Sequence, residues 1–396
     1  MTSISIYLFA GDFAEVLRRY ERGDQQVYQT HNEVARLIHD LLGMHQRLNI
    51  YSFVTPERGV ERPMDRLRII NLGAKDYSAA SLLESAVAED DAQAIVAHFP
   101  NIELLRAISA KQRRAMAVLA TSYNRTGLRS IFEKRKVTSL LNSSRFELVS
   151  NHCLPATRHL ARIGVKSEKL IAWDVPHPFH PVSYEPKRLA TRRSFNAVYA
   201  GSIVEGKGVV ELIEAIAFMR RRNTIELRCA LAGVGDINAM DALARKLGVA
   251  DLLSFVGLIA NNEVFNMMAA ADLVVVPSRS QYPEGFPLTM FEAIASRTPI
   301  VCSDHPMFRP VIVDRRNASV FAAGDYRSLA TAIWRTLSDS DLYAQLSNNA
   351  TLTWEALKGP ADWRTMILKW AGEGPSSPWI QDRLLPAIEQ RVGNTV

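Results

Sequence analysis

No apolar run in this sequence approaches the roughly 20 residues that a helix needs to span a bilayer, so the chain reads as globular rather than membrane-spanning. Cysteine is scarce as well. Cys153, Cys229 and Cys302 are widely separated, without the paired spacing of a zinc site, and they suit a reducing compartment better than a disulfide framework. The apolar start "ISIYLF" has neither a basic lead nor a cleavage-like tail and runs directly into Gly11-Asp12. It predicts a first strand rather than a signal peptide, and a cytoplasmic protein. With 47% hydrophobic and 22% charged residues, the composition excludes intrinsic disorder.

What is present is a long chain with a localised charge. At 396 residues it exceeds one ordinary core, and two domains are expected. The net charge is +6, and the excess lies between Glu103 and Lys136. There Arg106, Lys111, Arg113, Arg114, Arg125, Arg129, Lys134, Arg135 and Lys136 face only Glu103 and Glu133. Such a segment attracts anions, whether phosphates, acidic lipid head groups or charged substrates, unless it is simply the solvated face of two helices.

Short β-branched runs alternate with helical patterns along most of the chain, the signature of α/β architecture. In the first half "SISIYLF", "LNIYSFV", "LRIINLG", "AIVAHF", "MAVLATS" and "FELVSN" read as strands. Thr30 and Glu33 form a capping-box pattern before "HNEVARLIHDLL". Residues 174–194, rich in proline and charge, interrupt the rhythm and read as a linker. It resumes with "FNAVYAGSI", "ELRCALAGVG", "LLSFVGLI", "LVVVPS", "PIVCSD" and "SVFAAG". Two Rossmann-like halves follow, with ligands expected at the carboxyl ends of the parallel strands. We place the first domain at 1–180, the second at 195–365, and a helical segment at 366–396 returning to the first.

Two loops at those strand ends carry chemistry. The turn with Gly201, Gly206, Lys207 and Gly208 precedes a helix whose apolar face holds Val209, Leu212, Ile213 and Ile216. A helix start with free amides and a lysine suits an anion, although its spacing matches neither a P-loop nor a dinucleotide fingerprint and glycines also serve simply to turn a chain. After "LVVVPS", Glu284 precedes a helix that holds Glu292 in its first turns, with Gly285, Phe286, Pro287 and Leu288 between. The backbone N–H groups there, except that of Pro287, suit phosphates. Ionised carboxylates accept paired hydrogen bonds from sugar hydroxyls. A nucleotide-sugar presents both groups, whereas the plainer reading makes Glu292 a helix-dipole partner and Glu284 a solvated loop residue.

Taken in order, Gly201 with Lys207-Gly208, "FVG" at Phe255 to Gly257, "AADLVVVPS" at Ala270 to Ser278, "EGFPLTMFEA" and "ASRTPIV" at Ala295 to Val301 resemble the donor domain of the retaining family 4 glycosyltransferases of GT-B architecture. "DYRSLATAI" follows where such proteins carry a late Asp and a helix. The resemblance is strong from Val198 to about Leu346 and only in outline before that. It implies two Rossmann-like domains facing each other across a cleft and transfer of a hexosyl group from a UDP- or GDP-sugar to a hydroxyl acceptor, in cell-surface glycan or exopolysaccharide synthesis. Glu292 would hold the ribose, and Glu284 with the following amides would hold the transferred sugar and diphosphate. Lys207 would offset charge on the leaving group. Gly11, Gly201, Ser202 and Gly257 complete the donor-binding set, and His98, at the end of "AIVAHF", matches a histidine directed into the cleft. A structural histidine there is as good a reading.

The sequence also departs from the family pattern. Ser202 stands where an arginine is usual, Gly11-Asp12 replaces a longer glycine-rich loop, and His177-Pro178 replaces "NG". The family implies front-face substitution rather than a protein nucleophile of the glycosidase kind. No Asp-x-Asp follows a strand, so neither metal nor cofactor is expected. The expected partners are a nucleotide-sugar and a glycan or lipid-linked acceptor. Arg106, Lys111, Arg113 and Arg114 on the helical run "NIELLRAISAKQRRAMAVL" are the candidate surface for the acceptor or for an anionic inner membrane face. The alternative is a non-catalytic nucleotide-sugar binder or a basic nucleic-acid binder. The second is disfavoured because only Tyr123 and Phe132 interleave the basic residues.

Overall fold

The computed structural model describes residues 3–24, 26, 29–44, 47–76, 79–123, 127–223 and 225–393. The chain forms two compact units, one from 1–176 with 359–396 and the other from 177–358. The second boundary therefore falls before the expected returning segment, and 359–365 group with the first unit.

The first unit is built on a nine-stranded sheet. Its strands are β1 Ser3–Ala10, β2 Arg47–Val54, β3 Arg58–Glu61, β4 Leu67–Ala74, β5 Ala94–Ala97, β6 Arg114–Leu119, β7 Phe146–His152, β8 Leu170–Asp174 and, from the far end of the chain, β15 Ala361–Asp362. Their order is β15-β8-β7-β6-β5-β1-β2-β4-β3, and every pairing is parallel except the β3–β4 hairpin. β1 pairs with both β2 and β5, so the winding reverses between β1 and β5. The six strands expected from the first half all form. β3, β8 and β15 are additional.

The second unit carries β9 Ser194–Ala200, β10 Glu226–Ala232, β11 Leu253–Gly257, β12 Leu273–Val276, β13 Ile300–Ser303 and β14 Ser319–Phe321. Their order is β11-β10-β9-β12-β13-β14, all parallel, the doubly wound Rossmann-like arrangement. The reversal lies between β9 and β12. The helix Val209–Arg222 buries the expected Val209, Leu212, Ile213 and Ile216, which pack with Leu227, Leu231, Val275 and Ile333 in one core.

Three local expectations are corrected. The helix carrying Glu33 begins at Gln29, so Thr30 lies inside it rather than at its cap. Glu33 instead pairs with Arg36 and Arg364. Residues 177–193 are packed onto the second unit rather than forming a free linker. His177 stacks on Phe291 at 4.4 Å and Phe179 on Phe265 at 3.6 Å. Lys187 sends Nζ to the carbonyls of Ala269 and Ala271, each at 2.7 Å, and to Thr298 Oγ1 at 2.6 Å, where burial pushes its ammonium down to about 8.

The basic segment does not form one helical face. Its first helix stops at Ser109, and Arg114 opens β6. Arg106 pairs with Glu84 and Glu103, Arg114 with Glu147, and Lys111 donates to the carbonyl of Ala88. One guanidinium nitrogen of Arg113 is buried. Arg125 lies outside the described residues. Among the described residues no helix is long and apolar enough to cross a membrane.

Candidate functional site

The carboxyl ends of β9 and β12 lie side by side at the reversal of the second sheet, and the loops that leave them carry the expected glutamates and lysine. After β9 the chain turns through Gly201 and Ser202, passes a single 3-10 turn at Glu205–Lys207, and enters its helix at Gly208 with φ +77°. A Cβ on Gly208 would sit 2.0 Å from the carbonyl oxygen of Pro277, and one on Gly233 1.9 Å from that of Gly201. These glycines are therefore needed for close backbone approach between three strand ends, which accounts for their positions without any ligand. Gly201 extends the β9–β10 register by donating its N–H to the Ala232 carbonyl, and Gly233 donates to the Gly257 carbonyl, so Gly257 belongs to the same rim. Ser202 offers its carbonyl to Tyr199 Oη at 2.6 Å.

The loop from Pro277 to Pro287 folds back over this turn. Arg279 straps the two together: its N–H donates to the Gly206 carbonyl, and its guanidinium holds Glu205 at 2.5 Å and Glu211 at 2.6 Å. Arg279 thus does not stand in for the arginine that Ser202 replaces. Glu284 is buried, and its Oε1 accepts from Lys207 Nζ and from Ser278 Oγ, each at 2.6 Å. Lys207 Nζ also lies 4.8 Å above the Tyr282 ring, a cation–π contact. The two residues assigned separate roles from sequence are therefore direct partners. His305, fully buried, supports the loop from below. Its Nε2–H donates to the Tyr282 carbonyl at 3.0 Å, and its Nδ1 accepts from the Met307 N–H at 3.2 Å. Burial lowers its pKa, so the neutral ring with the proton on Nε2 fits both bonds.

The helix Leu288–Ala295 follows, with Pro287 as a cap that provides no side-chain acceptor. The N–H groups of Gly285, Phe286, Leu288 and Thr289 have no acceptor among the described residues, leaving donors at the positive end of a helix. The Phe286 side chain is core, edge-on to Phe291 and Phe308, so only its backbone belongs to the site. Glu292 is buried one turn into the helix and accepts from Asn261 Nδ2. Desolvation pushes its carboxyl up to about 7, against the Asn261 hydrogen bond that lowers it.

In the first unit, Gly11 and His98 end β1 and β5, at that sheet's own reversal. Gly11, with φ +135°, accepts Ser52 Oγ on its carbonyl, and Asp12 caps the next helix through the Glu15 N–H. His98 borders a cavity of about 200 Å³ with Phe9, Phe13, His31, Trp173 and Trp363. Its Nε2 accepts from the Trp363 indole N–H at 2.9 Å, which places the ring proton on Nδ1. Desolvation drives its pKa down to about 4.

Sequence reasoning missed Ser278, Asn261, His305 and Trp363. Ser278 and His305 each stand two residues past a buried strand, a position that signals a site residue. Asn261 and Trp363 carry no comparable signal. Among the described residues no group of three or more His, Cys, Asp or Glu is arranged to hold a metal ion.

Residues 185–353 match the family model described as "Glycosyl transferases group 1". The chain is 36% identical over 103 residues to the lipopolysaccharide core biosynthesis mannosyltransferase LpcC of Rhizobium leguminosarum bv. viciae, covering 26% of this chain and 28% of that one. Such matches span about a quarter to a half of the length of the curated relatives. In fold the chain is similar to sucrose-phosphate synthase from Thermosynechococcus elongatus, with a TM-score of 0.65 and 15% identity over 100% of both chains. It is also similar to Anabaena Alr3699/HepE in complex with UDP-glucose, with a TM-score of 0.63 and 16% identity over 95% of this chain and 100% of that one. Residues 185–353 thus form a domain of the glycosyl transferases group 1 family, in a chain whose two Rossmann-like units have the GT-B fold.

Proposed function

We propose that this protein transfers a hexosyl group from a UDP- or GDP-sugar to a hydroxyl acceptor, with retention of configuration and without a metal, in the synthesis of a cell-surface glycan. The observation that carries this reading is the cluster at the β9–β12 reversal. There Glu284, bound by Lys207 and Ser278, stands beside unpaired amides, and a second buried carboxylate, Glu292, follows in the adjoining helix.

In this reading the amides of Gly285, Phe286 and Leu288 face the diphosphate. Glu292 in its ionised form accepts hydrogen bonds from the ribose hydroxyls, and Glu284 accepts from the hydroxyls of the transferred sugar. The acceptor oxygen bonds to the anomeric carbon as the bond from that carbon to the phosphate oxygen breaks, on the same face. The acceptor's proton passes to the departing diphosphate. Lys207 and the amides supply positive potential where charge develops. His98 has its Nε2 taken by the Trp363 indole N–H, so it does not serve as a base. The similarity of about a quarter of this chain to LpcC, a lipopolysaccharide core biosynthesis mannosyltransferase, and the UDP-glucose in complex with HepE support the class of acceptor and of donor.

Thermal shift with UDP-, GDP- and ADP-sugars, followed by an assay of sugar release, tests the proposal. A ligand that binds only the folded state raises its stability, and slow donor hydrolysis separates an enzyme from a mere binder. Lys207→Ala should lower turnover more than donor affinity, because its charge matters most as the diphosphate leaves. Stabilisation by none of these donors, or binding without any sugar release, would overturn the assignment.

A further inference from the structure

The helix Leu128–Leu141 in the first unit has a face that the fold does not use. It buries Ser130, Val137 and Leu141, yet Leu128, Ile131 and Phe132 are 77%, 45% and 67% exposed. Positions i, i+3 and i+4 share one side of a helix, so these three side chains form a single apolar ridge. Large apolar residues scattered singly on a surface are ordinary; three gathered within five residues are not. Arg135 lies one turn further along the same side, and Arg129 and Lys136 flank it. All three are exposed and have no ion-pair or hydrogen-bond partner among the described residues. Lys134 adds a fourth positive charge, and Glu133 is the helix's only acid. This differs from the preceding helix and strand, where Arg106 and Arg114 are spent on internal pairs.

We propose that the helix Leu128–Leu141 is an interfacial anchor that lays Leu128, Ile131 and Phe132 among the acyl-chain boundaries of an anionic bilayer while its basic residues engage the head groups. A narrow apolar ridge bordered by cations is the pattern of a helix lying in the membrane surface. A protein partner would be met by an interface depleted in lysine at its apolar core, whereas an anionic surface is complementary to the whole patch. The helix's buried side remains in the core, so contact is shallow and reversible, and salt weakens it by screening. The inference stands on this surface alone and does not require that the chain transfer a sugar.

The test uses the full chain with Phe132→Cys carrying an environment-sensitive fluorophore, since the three native cysteines are buried. Vesicles of phosphatidylcholine alone are compared with vesicles containing added phosphatidylglycerol, at low and high salt. The expected result is a fluorescence rise and blue shift on the anionic vesicles at low salt, reduced at high salt. Reversing Arg135 and Lys136 to Glu should lower vesicle partition by on the order of tenfold or more. Leu128→Ser with Phe132→Ser should weaken sedimentation with anionic vesicles while circular dichroism stays unchanged. No spectral change on anionic vesicles, an equal change on neutral ones, or full binding after charge reversal would each overturn the proposal.

Discussion

Glu292 is the residue whose chemistry can be read most directly. Burial raises its carboxyl from 4.5 to about 7, so between those values the folded chain keeps a proton that the unfolded chain releases. The stability tied to that proton is present at the acid end and is lost as pH rises through about 7. Glu292→Gln should therefore flatten the decline of stability with pH over this interval, as measured by denaturant unfolding at several pH values. Nucleotide binding should carry the opposite sign. Ribose hydroxyls donate to the ionised form, so affinity should rise as pH increases through about 7 and binding should release a proton. Loss of charge-assisted bonds worth about 1.5–3 kcal/mol predicts that Glu292→Gln weakens nucleotide binding roughly tenfold or more. Calorimetry in buffers of different ionisation heat measures both, and an affinity in the parent independent of pH would rule out an ionised Glu292 as the ribose acceptor.

Among the elements, the stretch 177–193 shows what a sequence hides. Its prolines and charges announce an interruption, and the expectation of a linker followed from them. The contacts that make it part of the second unit are aromatic stacking on Phe265 and Phe291 and one half-buried lysine, and neither has a periodic signature. Lys187 closes the end of the helix Asn261–Ala270 by donating to carbonyls at Ala269 and Ala271. Lys187→Met should leave these acceptors unpaired and destabilise the chain by about 2–3 kcal/mol, a loss visible in urea unfolding; an unchanged midpoint would mean that water replaces the ammonium. The same limit applies to the site. The strands, the turn glycines and the glutamate spacing were legible because local order in the chain sets them. The Lys207–Glu284 pair, the support from His305 and the Asn261 contact join residues 77, 23 and 31 positions apart. The basic segment misled for a related reason, since a count of charges does not reveal that Arg106 and Arg114 have internal partners.

At the scale of the whole molecule, the first unit is closed by residues distant in sequence. β15 adds to β8 at the sheet edge, and the helix Trp363–Glu373 that follows buries Trp363, Met366, Ile367 and Trp370. Trp363 donates to His98, Trp370 to Glu147, and Arg364 pairs with Asp40. The Trp370 carbonyl also accepts from Arg114. This part of the chain completes the first unit's core although the entire second unit lies between the two in sequence. Trp370 is among the largest fully buried side chains, so Trp370→Ala should cost about 3–5 kcal/mol through lost burial and the cavity left behind. Because its contacts lie in the first unit, nucleotide affinity under conditions where the chain stays folded should be unaltered. Chemical unfolding monitored by circular dichroism, paired with nucleotide titration on the same variant, checks both statements. A large loss of nucleotide affinity without a loss of stability would contradict the assignment of Trp370 to the first unit's core.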